Sequence, residues 1–228
     1  NDPLIIFDDV DLDTAVTEAI NGRIVHAGQA CCSSKRFIIQ ENIYDEFAGR
    51  LAERLKGMKI GDPLDQGSRI GPLIDERAAQ RVEEIVDRTV KAGAYCLCGG
   101  RRFDGNFFEP TVLTGVTPAM DIAQNLEVFG PVFPLIKFKT EEQAVAIADN
   151  CTYGLSSGVI SGEIQRAIRV ARQLDAGNCT INGTGLYRTH DMPFGGHRKS
   201  GLGTEGLYAT LDEFTKTKTY VWKGAAIR

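Results

Sequence analysis

Apolar segments of two periodicities take turns along the chain, and that alternation constrains the fold more than any other feature. Residues 4–7 (Leu-Ile-Ile-Phe) form a short continuous apolar run, as a strand buried on both faces does. After Asp11, the residues Leu12, Ala15, Val16, Ala19, Ile20 and Ile24 recur at three-and-four spacing, which predicts a helix capped by Asp11. Residues 36–39 read as a strand, and 43–55 as a helix with Ile43, Phe47, Leu51 and Leu55 on one stripe. Asp75 opens a third helix, with Val82, Ile85, Val86, Thr89 and Val90 on one face and Gly93 where a left-handed cap belongs. Residues 95–97, 107–113 and 133–138 are predicted to be extended. Thr140 and Gln143 have capping-box spacing ahead of another helix. A strand at 156–160, a helix at 164–174, an extended pair at 180–181, a glycine-rich stretch, a short helix at 207–214 and a strand at 217–222 complete the order. Parallel strands need crossover connections, usually helices. The alternation therefore predicts an α/β fold, a mostly parallel sheet with helices on both faces. No repeat or low-complexity linker interrupts it, so residues 1–214 read as one α/β domain and 215–228 as a C-terminal strand and tail.

Composition narrows the function. With 26 Lys+Arg against 30 Asp+Glu the net charge is −4, the wrong sign for a dedicated nucleic-acid binder. Hydrophobic residues make up 43% and charged residues 25%, as in ordinary globular proteins. No window approaches the roughly 18 apolar residues of a membrane span, and residues 1–13 lack the pattern of a signal peptide. The first residue is not Met, so a processed or excised chain is one expectation. The six cysteines include an adjacent pair (Cys31, Cys32) and a single-spaced pair (Cys96, Cys98). Neither suits a long-range disulfide, and neither has the gap of a zinc knuckle. No metal site is expected, and reduced thiols in the cytoplasm are.

The segment from Gly28 to Arg36 carries the strongest chemical signal. A helix ends, a glycine turn follows, and two thiols precede a strand. The carboxyl side of helices and strands is where α/β proteins place reactive loops. A thiol beside Lys35 and Arg36 has the surroundings of an activated nucleophile. The competing reading is a buried cysteine acting as a small hydrophobe. Gln29-Ala30-Cys31 opens like a caspase signature, but Cys32 and Ser33 break it, and no histidine fits upstream. His26, five residues before Cys31, is the only candidate for a Cys/His dyad nearby. His190 and His197 flank the glycine-rich stretch and read as surface or loop residues.

Gly28-Gln29-Ala30-Cys31 followed by Arg36 resembles the nucleophile segment of the aldehyde dehydrogenase superfamily. Further segments agree in the family's order: Asn1-Asp2-Pro3, Gly71-Pro72-Leu73, Gly99-Gly100, Phe108-Glu109-Pro110-Thr111-Val112, Glu127-Val128-Phe129-Gly130-Pro131, Tyr153-Gly154-Leu155, Pro193-Phe194-Gly195-Gly196, Ser200-Gly201 and Glu205-Gly206. The resemblance spans essentially the whole chain. It implies that Cys31 is the nucleophile, forming a thiohemiacetal and then a thioester, and that its backbone N–H helps bind the oxyanion. Glu127 would accept the ribose hydroxyls of NAD or NADP, and Phe129 would pack near the nicotinamide. Phe194 would wall the substrate tunnel. Arg188, in the loop with Tyr187 and His190, would either meet a substrate carboxylate, as in a semialdehyde, or stand solvated. Cys32 would be a spectator, and the His26 dyad is not part of the family's chemistry.

The resemblance also places the family's nucleotide-binding domain and its Glu-Leu-Gly-Gly, with the general-base glutamate, ahead of the position of Asn1. These 228 residues alone are then expected to be inactive. The terminal strand would bridge subunits of a homo-oligomer. Three alternatives stay open: a coenzyme A-acylating dehydrogenase, a non-catalytic oligomerising module, and an esterase or acyl transferase acting through Cys31.

Overall fold

A computed structural model describes residues 1–224. Seven strands form the central sheet: β1 (Pro3–Ile6), β2 (Arg36–Gln40), β3 (Tyr95–Cys98), β4 (Thr111–Val116), β5 (Val132–Phe138), β6 (Ser156–Ile160) and β7 (Asn178–Ile181). Their spatial order is β7-β6-β1-β2-β5-β4-β3. All neighbours are parallel except β3, which runs antiparallel to β4 at the edge. Among the described residues the α-helices are α1 (Leu12–Ile24), α2 (Tyr44–Lys56), α3 (Glu76–Lys91), α4 (Glu141–Asp149), α5 (Ile164–Ala171) and α6 (Leu207–Phe214).

The strand order explains why both faces are covered. The chain moves one way along the sheet from β1 through α1 to β2, and the opposite way from β5 through α4 to β6. Right-handed crossovers then put α1 on one face and α4 on the other, where α4 touches β1, β2 and β5 as it passes over them. The sheet's central strands are apolar: Leu4, Ile5 and Ile6 of β1, Phe37, Ile38 and Ile39 of β2, and Phe133, Leu135 and Ile136 of β5 are all fully buried. Those unbroken runs are what a sheet covered on both faces requires.

Local signals account for the helix starts. Asp11 Oδ1 accepts from Thr14 N at 2.8 Å, and Asp75 Oδ1 from Ala78 N at 2.7 Å. Thr140 caps α4 by accepting from Gln143 N, but Gln143 Oε1 accepts from Lys139 N rather than from Thr140 N. The box thus closes one residue early. Residues 217–222, predicted as a strand that bridges subunits, are exposed and irregular in the single chain. A strand exists only through its ladder to a neighbour, and no described residue provides one. No helix among the described residues is long and apolar enough to cross a membrane.

Candidate active site

Cys31 sits at the amino ends of the parallel strands, because its loop leaves α1 and enters β2. The loop holding Glu127 and Phe129 enters β5 on the same edge. The sequence expectation of a reactive loop on the carboxyl side holds for α1 but not for the sheet. Open α/β sheets usually bind ligands at the carboxyl ends. Here the convergence of the chain entries to β1, β2, β5 and β6 builds the site on the opposite edge.

The turn into the thiol loop is strained. His26, Ala27 and Gly28 have φ of 49°, 55° and 79°, a left-handed run that costs roughly 1–2 kcal/mol per non-glycine residue. Its hydrogen bonds hold it: Gln29 N and Gln29 Nε2 both donate to His26 O, at 3.1 and 2.8 Å. Gln29 Oε1 also accepts from Ile74 N at 2.8 Å, tying the turn to the segment ahead of α3. The structure thus gives the signature glutamine a clamping role. Gly28 is needed for a second reason. A Cβ there would lie 2.3 Å from Gly130 O, so the thiol loop and the Glu127–Pro131 segment touch backbone to backbone. Gly28→Ala is expected to cost about 1–3 kcal/mol from strain and overlap, read as a lower denaturant midpoint at unchanged slope; an unchanged midpoint would show that the two loops are not in contact.

Two buried cations lock these loops together. Arg23, from the last turn of α1, is fully buried. Its Nε donates to Val132 O at 2.9 Å, its Nη2 to Val128 O at 2.7 Å, and its Nη1 to Ser33 Oγ at 3.1 Å. Burial pulls its pKa down to about 9, opposed by Glu127 and Asp2, so it remains a cation at neutral pH. Lys35, 2% exposed, donates through Nζ to Cys31 O at 2.6 Å, Ala30 O at 3.1 Å and Ser33 O at 3.3 Å. The same Nζ lies 3.7 Å from Glu127 Oε1 and 5.0 Å from the centre of the Phe129 ring. Burial lowers the Lys35 pKa, and the charges of Asp2 and Glu127 work against that.

Cys31, Glu127 and Phe129 are therefore linked through the Lys35 ammonium. Cys31 is exposed and Phe129 is 42% exposed, while Glu127 keeps a quarter of its side chain in solvent. An accessible carboxylate beside an accessible aromatic face fits a nicotinamide riboside: the first accepts two hydroxyls and the second offers a stacking surface. Cys32 differs from its neighbour. It is half-buried, and burial, helped by Cys31 and Asp2, pushes its thiol up to about 11.

Of the two cations expected beside the thiol, Lys35 faces its loop and Arg36 does not. Its side chain turns into the core, donating to Asn1 O, Ala123 O, Ile147 O and Ala148 O at 2.9, 3.3, 2.9 and 2.7 Å. Phe194 and Arg188 form a second pair. The guanidinium lies 4.2 Å from the Phe194 ring centre, and Nη1 is 3.0 Å from Glu205 Oε1. Arg188 remains exposed, with these two partners on the surface. The segment leading to Arg188 touches the thiol loop: a Cβ at Gly185 would lie 2.9 Å from Cys32 O, and one at Gly22 2.5 Å from Thr184 Cγ2. A groove of about 430 Å³ opens there, lined by Glu18, Asn21, Val25, Thr184, Leu186 and Tyr187.

Sequence reading missed the roles of Arg23 and Lys35. The only signal was two cations, one in an apolar helix face and one at a strand entry, positions where unpaired charges are costly.

A thiol held at the amino edge of an α/β sheet, beside a carboxylate and an aromatic ring, defines a candidate cysteine-nucleophile domain. Comparison with known proteins gives the class its family. The model of the aldehyde dehydrogenase family matches residues 1–220. The glutarate-semialdehyde dehydrogenase of Pseudomonas putida is 40% identical over 96% of this chain and 45% of its own length. The NADP(+) succinate-semialdehyde dehydrogenase of Escherichia coli is 40% identical, again over 96% and 45%. The betaine aldehyde dehydrogenase of Staphylococcus aureus, solved with NAD+, superposes with a TM-score of 0.89 at 38% identity, over 93% of this chain and 44% of that one. The chain belongs to the aldehyde dehydrogenase family. It spans about half the length of the curated relatives it matches.

Proposed function

We propose that this chain supplies the thiol and the nicotinamide-ribose side of the site for NAD(P)-dependent oxidation of an aldehyde to a carboxylic acid. The observation that carries the reading is the exposed Cys31, on a loop joined through one buried ammonium to Glu127 and Phe129. The Cys31 thiolate adds to the aldehyde carbon, forming a C–S bond and a thiohemiacetal oxyanion, and the Cys31 backbone N–H donates to that oxygen. Nicotinamide, when bound, accepts the hydride of the aldehyde carbon. Glu127 would accept the ribose hydroxyls, and Phe129 would offer an aromatic face to the nicotinamide. The thioester left on Cys31 is cleaved by water, which regenerates the thiol and releases the acid. Given the length of the relatives, the reading assigns the base for that water and the adenosine half of the cofactor to residues outside these 228. The chain alone is then expected to show no turnover.

The substrate in this reading carries a second, acidic group. Two of the relatives are named for semialdehydes, and Arg188 stands in the segment that touches the thiol loop. Its bond to Glu205 is exposed and worth little, so a substrate carboxylate can replace Glu205 on a guanidinium suited to that geometry. The exposed Leu207, Leu211, Phe214, Tyr220, Val221 and Trp222 support self-association through the C-terminal segment, and six free thiols support a reducing, cytoplasmic setting. The test is NAD(P)H formation by the protein at its natural length with succinate or glutarate semialdehyde. Formation with either supports the reading; none with any aldehyde contradicts it.

A further inference from the structure

We propose that Lys35 is a positioning residue, a buried ammonium that fixes the ribose-accepting carboxylate of Glu127 and the ring of Phe129 relative to the thiol loop, and so sets cofactor affinity. The proposal rests on the aldehyde-oxidising reading above and deepens it.

An ammonium has three N–H groups and no acceptor. Lys35 Nζ meets three loop carbonyls, those of Ala30, Cys31 and Ser33, all within 3.3 Å. Hydrogen bonding alone is therefore complete without Glu127. The carboxylate at 3.7 Å is held by charge, between Lys35 and the Asn1 amino group 3.2 Å from the same oxygen, and the electron-rich face of Phe129 at 5.0 Å is held by charge as well. Lys35 is itself 2% exposed while Phe129 is 42% exposed. The ring face toward Lys35 is the covered one, which leaves the other for a planar ligand.

A structural role would not need this residue type. The stem of Lys35 fills space that a methionine would also fill, and its backbone N–H is already tied to Asp2 O at 2.9 Å. What only the ammonium adds is a positive centre shared by the backbone of Cys31 and the side chain of Glu127. Arg23 cannot replace it. That guanidinium bonds Val128 O and Val132 O, the backbone on either side of the Phe129–Pro131 turn, and bonds neither side chain. Burial raises the strength of such a charge pair above that of an exposed one, because solvent does not screen it. Glu127 keeps one edge in solvent, so the pair orients the carboxylate without consuming its capacity to accept ribose hydroxyls.

The test uses the protein at its natural length and three variants. K35M removes charge and donors, K35Q keeps donors and removes charge, and K35R keeps charge on a planar fork that cannot make all three carbonyl bonds. Three readouts are taken: NAD+ and NADP+ affinity by quenching of protein fluorescence, the rate of Cys31 alkylation by iodoacetamide without cofactor, and the melting temperature. K35M and K35Q are expected to bind cofactor at least tenfold more weakly, with K35R within about threefold of wild type, since the charge opposite Glu127 is retained. In an E127Q background, K35Q is expected to cost less than twofold further, because a residue acting through another is non-additive with it. K35M is expected to change the alkylation rate more than threefold, since the thiol loop loses its three donors. Should K35M not fold, K35Q against K35R decides the matter. A K35Q protein that folds, turns over aldehyde and binds cofactor with wild-type affinity overturns this proposal and leaves the proposed reaction standing. Equal losses from K35Q in the wild-type and E127Q backgrounds also overturn it. A wild-type protein that neither binds NAD(P)+ nor reduces it with aldehyde overturns both.

Discussion

Cys31→Ser is expected to lower aldehyde oxidation by on the order of 10³-fold or more, with the melting temperature unchanged. A serine hydroxyl without a paired base is a poor nucleophile at neutral pH, and removing a covalent nucleophile costs nearly all of the chemical step. The side chain is exposed and the substitution is close in size, so the loop that Lys35 and Arg23 hold keeps its geometry. Cys32 does not compensate. It is half-buried, and a thiol pushed up to about 11 carries almost no thiolate at neutral pH. The measurement is the initial rate of NAD(P)H formation beside a thermal melt. A variant keeping a tenth of the activity would mean that Cys31 does not form the covalent intermediate.

Arg36→Met is expected to destabilise the protein by on the order of 3–5 kcal/mol. The guanidinium is 1% exposed and donates to four main-chain carbonyls from three separate parts of the chain. Methionine fills much of the volume but gives no donor, and each buried carbonyl left without a partner costs about 1–3 kcal/mol before relaxation. The loss is read as a lower urea midpoint. An unchanged midpoint would mean that water reaches those carbonyls and that Arg36 does not organise the entry to β2. Together the two variants separate the roles of neighbouring residues: Cys31 affects rate without stability, and Arg36 affects stability first.

Much of the fold was legible because its signals are local. Asp11, Asp75 and Thr140 each precede an apolar face at helical spacing and each caps a helix in the structure. The run Leu4-Ile5-Ile6-Phe7 reads as a buried strand and residues 36–39 as a strand, and both lie in the sheet with these apolar side chains buried. The strand at 95–97 was legible but the antiparallel direction of β3 was not, because direction is set by which edge of the sheet remains open when the chain arrives. Residues 217–222 have the composition of a strand but lack the neighbour that would make them one.

The site divides in the same way. Cys31, Glu127 and Phe129 stand out through a sequence resemblance, and the structure places them side by side. Arg36 was misplaced, because adjacency in sequence to a thiol says nothing about direction at the start of a strand, where side chains alternate between faces. Arg23 was missed, and Lys35 was read only as a cation beside the thiol, because their partners are mostly main-chain carbonyls, and carbonyls leave no mark in a sequence. The edge of the sheet on which the site lies was also hidden, since it depends on which loops the strand order brings together.

The most direct test of the account is to trap the covalent intermediate. The protein at its natural length is mixed with a semialdehyde and NAD(P)+, quenched in acid within the first turnover, digested and mapped by mass spectrometry. The account predicts the acyl group of the substrate in thioester linkage to Cys31, formed only when NAD(P)+ is present and in step with NAD(P)H. Formation of NAD(P)H with the adduct on another residue, or with none on Cys31 at any time before turnover, would contradict it.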